Sequence, residues 1–196
     1  MNLPNKLTLL RIILVPVFLV CMYMQFPFHL TAALVIFALA SITDALDGNI
    51  ARKNNLVTTF GKFADPLADK ILVLAAFASL ADVDTAPVGG IVNGIVVTII
   101  AAREFMVSGL RLVTAEKGVV VAAGIWGKLK TAFTMVSIVV LLLVQAVFAD
   151  FGVLCDGGTT AVLFIGMTVL VWISVVLTII SGAVYLKGYW KYIDLK

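Results

Sequence analysis

Long apolar runs separated by short polar breaks set the pattern of this chain. The runs fall at roughly 8–25, 29–52, 63–82, 88–112, 128–149 and 160–186, each near the roughly 20 residues that a helix needs to cross a bilayer core about 30 Å thick. The pattern predicts an all-α integral membrane protein with six transmembrane helices, residues 1–196 forming a single membrane domain. The first run opens with Asn2-Leu3-Pro4-Asn5, where Asn5 is expected to cap the helix, and then carries Arg11 and Pro16, so that it enters the bilayer partly through the interface. Because Arg11 interrupts this run and no small-residue cleavage site follows it, the segment is expected to be retained rather than cleaved as a leader. The last run, with Trp172 and the tail from Tyr185 to Tyr192, reads as a lipid-facing or dimer-facing helix ending in an aromatic and lysine anchor.

Composition strengthens this reading. Of 196 residues, 62% are hydrophobic and 13% charged, which leaves too little polar surface for an ordinary soluble domain. The two cysteines, Cys21 and Cys155, form no C-x-x-C pair and no ligand set with the single histidine, His29, so neither a disulfide framework nor a zinc site is expected.

Charge fixes the expected orientation. Every Lys and Arg lies near the N-terminus, the second or fourth connection, or the C-terminus, whereas the connections around Asp82 to Pro87 and Asp150 to Thr160 have none. The positive-inside bias then places both termini and all basic connections in the cytoplasm, which requires an even number of spans.

Against this background four aspartates stand out, as Asp44-x-x-Asp47-Gly48-x-x-Ala51-Arg52 followed by Gly61-x-x-x-Asp65-x-x-x-Asp69. An aspartate at the centre of a membrane helix costs roughly 2.5–3.5 kcal/mol, so four of them at helical spacing need partners. Asp44 and Asp47 are three residues apart and Asp65 and Asp69 four apart, so each pair occupies one helix face. Asp44 lies about 12 Å of helix from Arg52, shallow enough to be reached from the cytoplasmic side. A carboxylate set without His or Cys suits hard cations, Mg2+ or Mn2+. Gly48 and Ala51 leave room for a phosphate to approach the backbone, and Arg52 adds a bidentate phosphate donor. The bland alternative, acids pairing with bases to close helix ends, leaves four clustered carboxylates repelling one another. A small cation carrier or channel is the alternative from another class, and it would spread its acids through the depth of the membrane.

The segment from Asp44 to Asp69 resembles the signature D-x2-D-G-x2-A-R-x8-G-x3-D-x3-D of the CDP-alcohol phosphotransferases at each fixed position. The resemblance implies a six-helix membrane enzyme, usually a homodimer, that displaces CMP from a CDP-linked lipid or alcohol with a divalent metal. It implies that Asp44, Asp47, Asp65 and Asp69 hold one or two ions, that Asp69 also takes the acceptor's proton, and that Asp47, Gly48, Arg52 and Gly61 line the CDP site.

Outside the signature, Asn2-Leu3-Pro4-Asn5 with Thr8, Arg11 and Pro16, then Arg103-Glu104-Phe105, Ser108-Gly109-Leu110-Arg111 and Gly127-Lys128-x-Lys130-Thr131, are similar to the bacterial branch of this family that makes phosphatidylglycerophosphate. That implies CDP-diacylglycerol as donor, sn-glycerol 3-phosphate as acceptor, the bacterial cytoplasmic membrane as location and no nucleic-acid partner. Thr8, Arg11, Arg103, Arg111, Lys128 and Lys130 are the candidates for binding the acceptor's phosphate, since several cations beside the acids suit a phosphate monoester better than a neutral alcohol. Inositol phosphate or phosphatidylglycerol remains the alternative acceptor. The plain reading of these cations is contact with anionic headgroups, and for Arg103 an ion pair with Glu104 or with an aspartate.

Overall fold

The computed structural model describes residues 3–54, 59–116 and 124–190, with side chains for all of these except 3–6, 44–54, 59–66, 69 and 116. The described residues form six helices and no strand: α1 (Leu3–Tyr23), α2 (His29–Asn54), α3 (Thr59–Ala81), α4 (Gly94–Glu116), α5 (Ile125–Ala149) and α6 (Gly157–Tyr189). By length and composition, α5 and α6 are each able to cross a membrane, and shorter apolar stretches occupy Leu7–Tyr23, His29–Thr43 and Lys70–Ala81.

Successive helices run up and down. α1 packs on α2 and α3, α5 on α6 and α2, and α4 on α6 and α3. Phe18 of α1 meets Phe37 of α2 with ring centroids 6.1 Å apart, and Leu72, Phe77, Ile100, Ile138, Leu141 and Val171 extend the same core. Ala33, Ala40 and Ala76 are fully buried, their small side chains letting neighbouring backbones draw close. Such dense packing and a few interhelical hydrogen bonds hold the bundle together. One of these bonds joins Ser137 of α5 to Ser174 of α6, Oγ to Oγ, at 2.8 Å.

Helix ends depart from the hydropathy pattern where local chemistry sets them. α1 begins at Leu3, so Asn5 is inside the helix and is not its cap; Pro4 falls in the first turn, where a missing N–H removes no intrahelical bond. α4 begins at Gly94 rather than near residue 88. Asn93 caps it, its Oδ1 accepting from the amides of Ile95 and Val96 at 3.1 Å each. The apolar residues before Asn93 form turns, within which a Cβ on Gly89 would stand 2.5 Å from the carbonyl carbon of Asp84. α6 starts at Gly157 because Asp156 accepts from the amides of Gly158 and Thr159.

One end of the bundle gathers the α1–α2, α3–α4 and α5–α6 connections. Asp150, which follows α5, accepts from the amide of Thr31 at 2.6 Å and from its hydroxyl at 2.7 Å, capping α2 across the bundle. Tyr23 donates to Asp82 at 2.5 Å, Gln145 donates to Thr85 at 2.9 Å, and His29 Nδ1 lies 2.9 Å from the carbonyl of Cys21. The opposite end carries the aspartate-bearing ends of α2 and α3, the C-termini of α4 and α6 and the N-terminus of α5.

Candidate functional site

At that opposite end, α2 is continuous through positions 44, 47, 48, 51 and 52, and α3 through 61, 65 and 69. Helix geometry therefore puts Asp44 and Asp47 on one face of α2, and Asp65 and Asp69 on one face of α3. The side chains of Asp44, Asp47, Gly48, Arg52, Gly61, Asp65 and Asp69 lie outside the described residues. Among the described residues, no three His, Cys, Asp or Glu side chains converge as a metal site. The donor chemistry nevertheless fits a divalent cation: two pairs of carboxylates, each on one face of an unbroken helix, at one end of the bundle.

Beside these helix ends, α4, α5 and α6 build a buried polar cluster. Glu104 of α4 accepts from Arg103 Nη1 at 3.0 Å and from Lys130 Nζ of α5. Lys130 is 5% exposed and Glu104 9%, so the carboxylate holds one cation that water hardly reaches and a second beside it. Two charge-assisted bonds to one carboxylate are what such burial requires, because an unpaired charge there would be costly. Arg103 also donates through Nη2 to Ser181 of α6 at 2.6 Å, and its guanidinium lies 5.7 Å from the ring centre of Tyr185. The close approach of α6 depends on Gly182, where a Cβ would stand 3.1 Å from Arg103 Cγ and 3.2 Å from Met106 Cε.

The structure thus brings Arg103 and Lys130 together through Glu104, the ion pair that the sequence left open for Arg103. Arg111, two turns further along α4, is exposed and reaches the same tyrosine, its Cζ 5.7 Å from the ring centre. Lys128 is exposed in the first turn of α5. Thr131, on the same helix, donates to the Gly127 carbonyl at 3.0 Å, the local backbone bond common for membrane threonines. On α1, Thr8 and Arg11 are both fully buried, one turn apart, and each engages a neighbour. The acceptor candidates therefore divide into buried groups (Thr8, Arg11 and Lys130, with Arg103 largely covered) and exposed ones (Arg111 and Lys128).

Tyr185 corrects the sequence reading of α6. It is 5% exposed, an internal contact of the bundle and not an interfacial anchor, whereas Trp172 and Trp190 are exposed. An aromatic-rich helix end looks the same in sequence whether its rings face lipid or guanidinium groups, which is why Tyr185 and Ser181 were missed. Lys191 and Tyr192 lie outside the described residues.

The aspartate-bearing ends of α2 and α3 and the cationic cluster of α4, α5 and α6 share one end of an all-helical bundle. The model of the CDP-alcohol phosphatidyltransferase family matches residues 1–180, and the chain belongs to that family. It is 41% identical over 203 residues to a Bacillus subtilis (strain 168) protein named CDP-diacylglycerol--glycerol-3-phosphate 3-phosphatidyltransferase, covering 97% of this chain and 96% of that one. A Rickettsia bellii protein of the same name is 39% identical, with 97% of each chain covered. A Mycobacterium tuberculosis protein named as a probable phosphatidylglycerophosphate synthase is 38% identical over 94% of this chain and 79% of its own length. Membership in a family of transferases decides against the ion-carrier alternative.

Proposed function

We propose that this chain transfers the phosphatidyl group of CDP-diacylglycerol to sn-glycerol 3-phosphate, giving phosphatidylglycerophosphate and CMP. The observation that carries this reading is similarity along nearly the whole chain to proteins named for that reaction, with the family's aspartates on two unbroken helices. On this reading the six helices span the bacterial cytoplasmic membrane, both termini and the aspartate end face the cytoplasm, and the enzyme works as a homodimer. Residues 1–196 act as one membrane domain.

Asp44, Asp47, Asp65 and Asp69 would hold one or two Mg2+ or Mn2+ ions. Bound there, such ions would supply positive charge against the diphosphate and the leaving CMP oxygen. Asp47, Gly48, Arg52 and Gly61 line the CDP site, where Gly48 and Gly61 admit the diphosphate close to backbone and Arg52 offers a bidentate donor. The acceptor's hydroxyl oxygen forms a bond to the lipid-linked phosphorus as the bridging P–O bond breaks. CMP leaves with the bridging oxygen, and Asp69 takes the hydroxyl proton. Arg111 and Lys128 present exposed positive charge for the acceptor's phosphate, while Arg103 and Lys130, tied to Glu104, supply a fixed positive field behind them. Thr8 and Arg11, buried on α1, complete the set of acceptor-phosphate candidates.

Purified enzyme with CDP-diacylglycerol and Mg2+ should release CMP on addition of glycerol 3-phosphate. Equal release with inositol phosphate or with phosphatidylglycerol would overturn the acceptor assignment while leaving the reaction class intact.

A further inference from the structure

Tyr185 is the point where α4, α5 and α6 meet, and neither the signature nor the charge pattern singles it out. Its ring lies 5.7 Å from the guanidinium carbons of both Arg103 and Arg111. Its hydroxyl accepts from the amide of Gly124, the residue before α5, at 3.1 Å, and Arg111 Nη2 stands 3.5 Å from the same oxygen. Tyr189 stacks beside it with ring centres 6.4 Å apart. A Cβ on Gly127 would come within 3.4 Å of the Tyr185 oxygen, so the first turn of α5 is fitted closely to it.

The two arginines differ in what else holds them. Arg103 has Glu104 and Ser181. Arg111, among the described residues, meets Tyr185 and no carboxylate. An exposed guanidinium on a long side chain samples many rotamers, and an anion that binds it must pay for its ordering. An aromatic face with a hydroxyl acceptor at its edge orders the side chain beforehand while leaving its charge unneutralised. Through Gly124 the same hydroxyl fixes the start of α5, four residues before Lys128.

We propose that Tyr185 is a positioning residue for an anionic substrate group: it pre-orders Arg111 and ties the first turn of α5, so that Arg111 and Lys128 face one phosphate monoester together. This rests on the reaction proposed above, in which that phosphate belongs to the acceptor. The donor's diphosphate is bound elsewhere, by α2 and α3, so loss of Tyr185 affects the two substrates unequally.

The test uses the full-length enzyme in lipid nanodiscs, with KM for glycerol 3-phosphate, KM for CDP-diacylglycerol and kcat measured separately for wild type, Tyr185→Phe and Tyr185→Leu. Tyr185→Phe keeps the ring and loses the acceptor oxygen, and should raise KM for glycerol 3-phosphate about threefold to tenfold. Tyr185→Leu loses both and should raise it about tenfold to a hundredfold. In both variants KM for CDP-diacylglycerol should stay within about twofold of wild type, a split that a general packing defect does not produce. An unchanged acceptor KM in Tyr185→Phe, or an equal rise in both KM values, overturns the proposal; this holds even where Tyr185→Leu fails to fold. If wild-type enzyme turns over only a different alcohol, the acceptor assignment falls instead. Tyr185 is then judged by the same split with that alcohol, an unchanged KM counting against it.

Discussion

The two ends of the bundle treat their carboxylates differently. Asp150 receives an amide and a hydroxyl from Thr31, and Asp156 receives amides from its own helix; the donors are neutral, and the carboxylates close helix N-termini. Glu104 receives two cations, and beyond it stand Arg111 and Lys128, which no carboxylate meets among the described residues. At the first end charge serves helix closure. At the second, Glu104 is outnumbered among the described side chains by Arg103, Arg111, Lys128 and Lys130, a local grouping of positive charge that suits a passing anion.

Substitutions can break this contrast in order of expected size. Asp69→Asn, at the chemical end, should lower CMP release about a thousandfold or more with folded protein unchanged; release above a tenth of wild type would remove Asp69 from proton transfer. Glu104→Ala leaves Lys130 and Arg103 without their counter-charge and should cost about 3–5 kcal/mol in unfolding in detergent, because an unpaired buried charge is the expensive outcome. Adding Lys130→Met should recover most of that loss, and a double variant no more stable than the single one would show that the ion pair is not what holds α4 to α5.

Asp150→Ala, at the neutral end, should cost only about 0.5–2 kcal/mol, the range for losing a helix cap, and leave KM for both substrates unaltered. A larger loss than that of Glu104→Ala would invert the comparison. The smallest effect concerns Asp156. Bonds from the Thr159 hydroxyl and then the Thr159 and Gly158 amides hold its carboxyl below the usual aspartate range. A pKa depressed on folding contributes stability that is full above the unfolded value and is lost as pH falls through the lower folded value. The melting difference between wild type and Asp156→Ala should therefore be present at neutral pH and fade in acid; a difference that grows in acid would contradict the capping role.

Much of the helical fold was legible because each apolar run is long and ends in polar residues. The errors came where apolar composition and helical conformation part ways. Residues 88–92 are apolar yet form turns, because α4 cannot begin until Asn93 supplies its cap. The aspartates were legible because their gaps are fixed within two helices. The cationic cluster was only half legible. Arg103 and Glu104 are adjacent in sequence, but Lys130 and Tyr185 reach them from other helices, and no periodicity within one helix reports a meeting among three.

The hydroxyl pair of Ser137 and Ser174 sits in the apolar stretch of α5 and α6, seven residues of α6 before Ser181 and eleven before Tyr185. A helix surrounded by hydrocarbon has little to stop it sliding or rotating along an equally oily neighbour. Slipping α6 by one residue would shift Tyr185 by about 1.5 Å and swing it by about 100° around the helix axis. The two serines therefore act as a detent: together with the bonds that Ser181 and Tyr185 make further along α6, this latch in the oily section helps set the angle and height at which a ring arrives beneath two guanidinium groups.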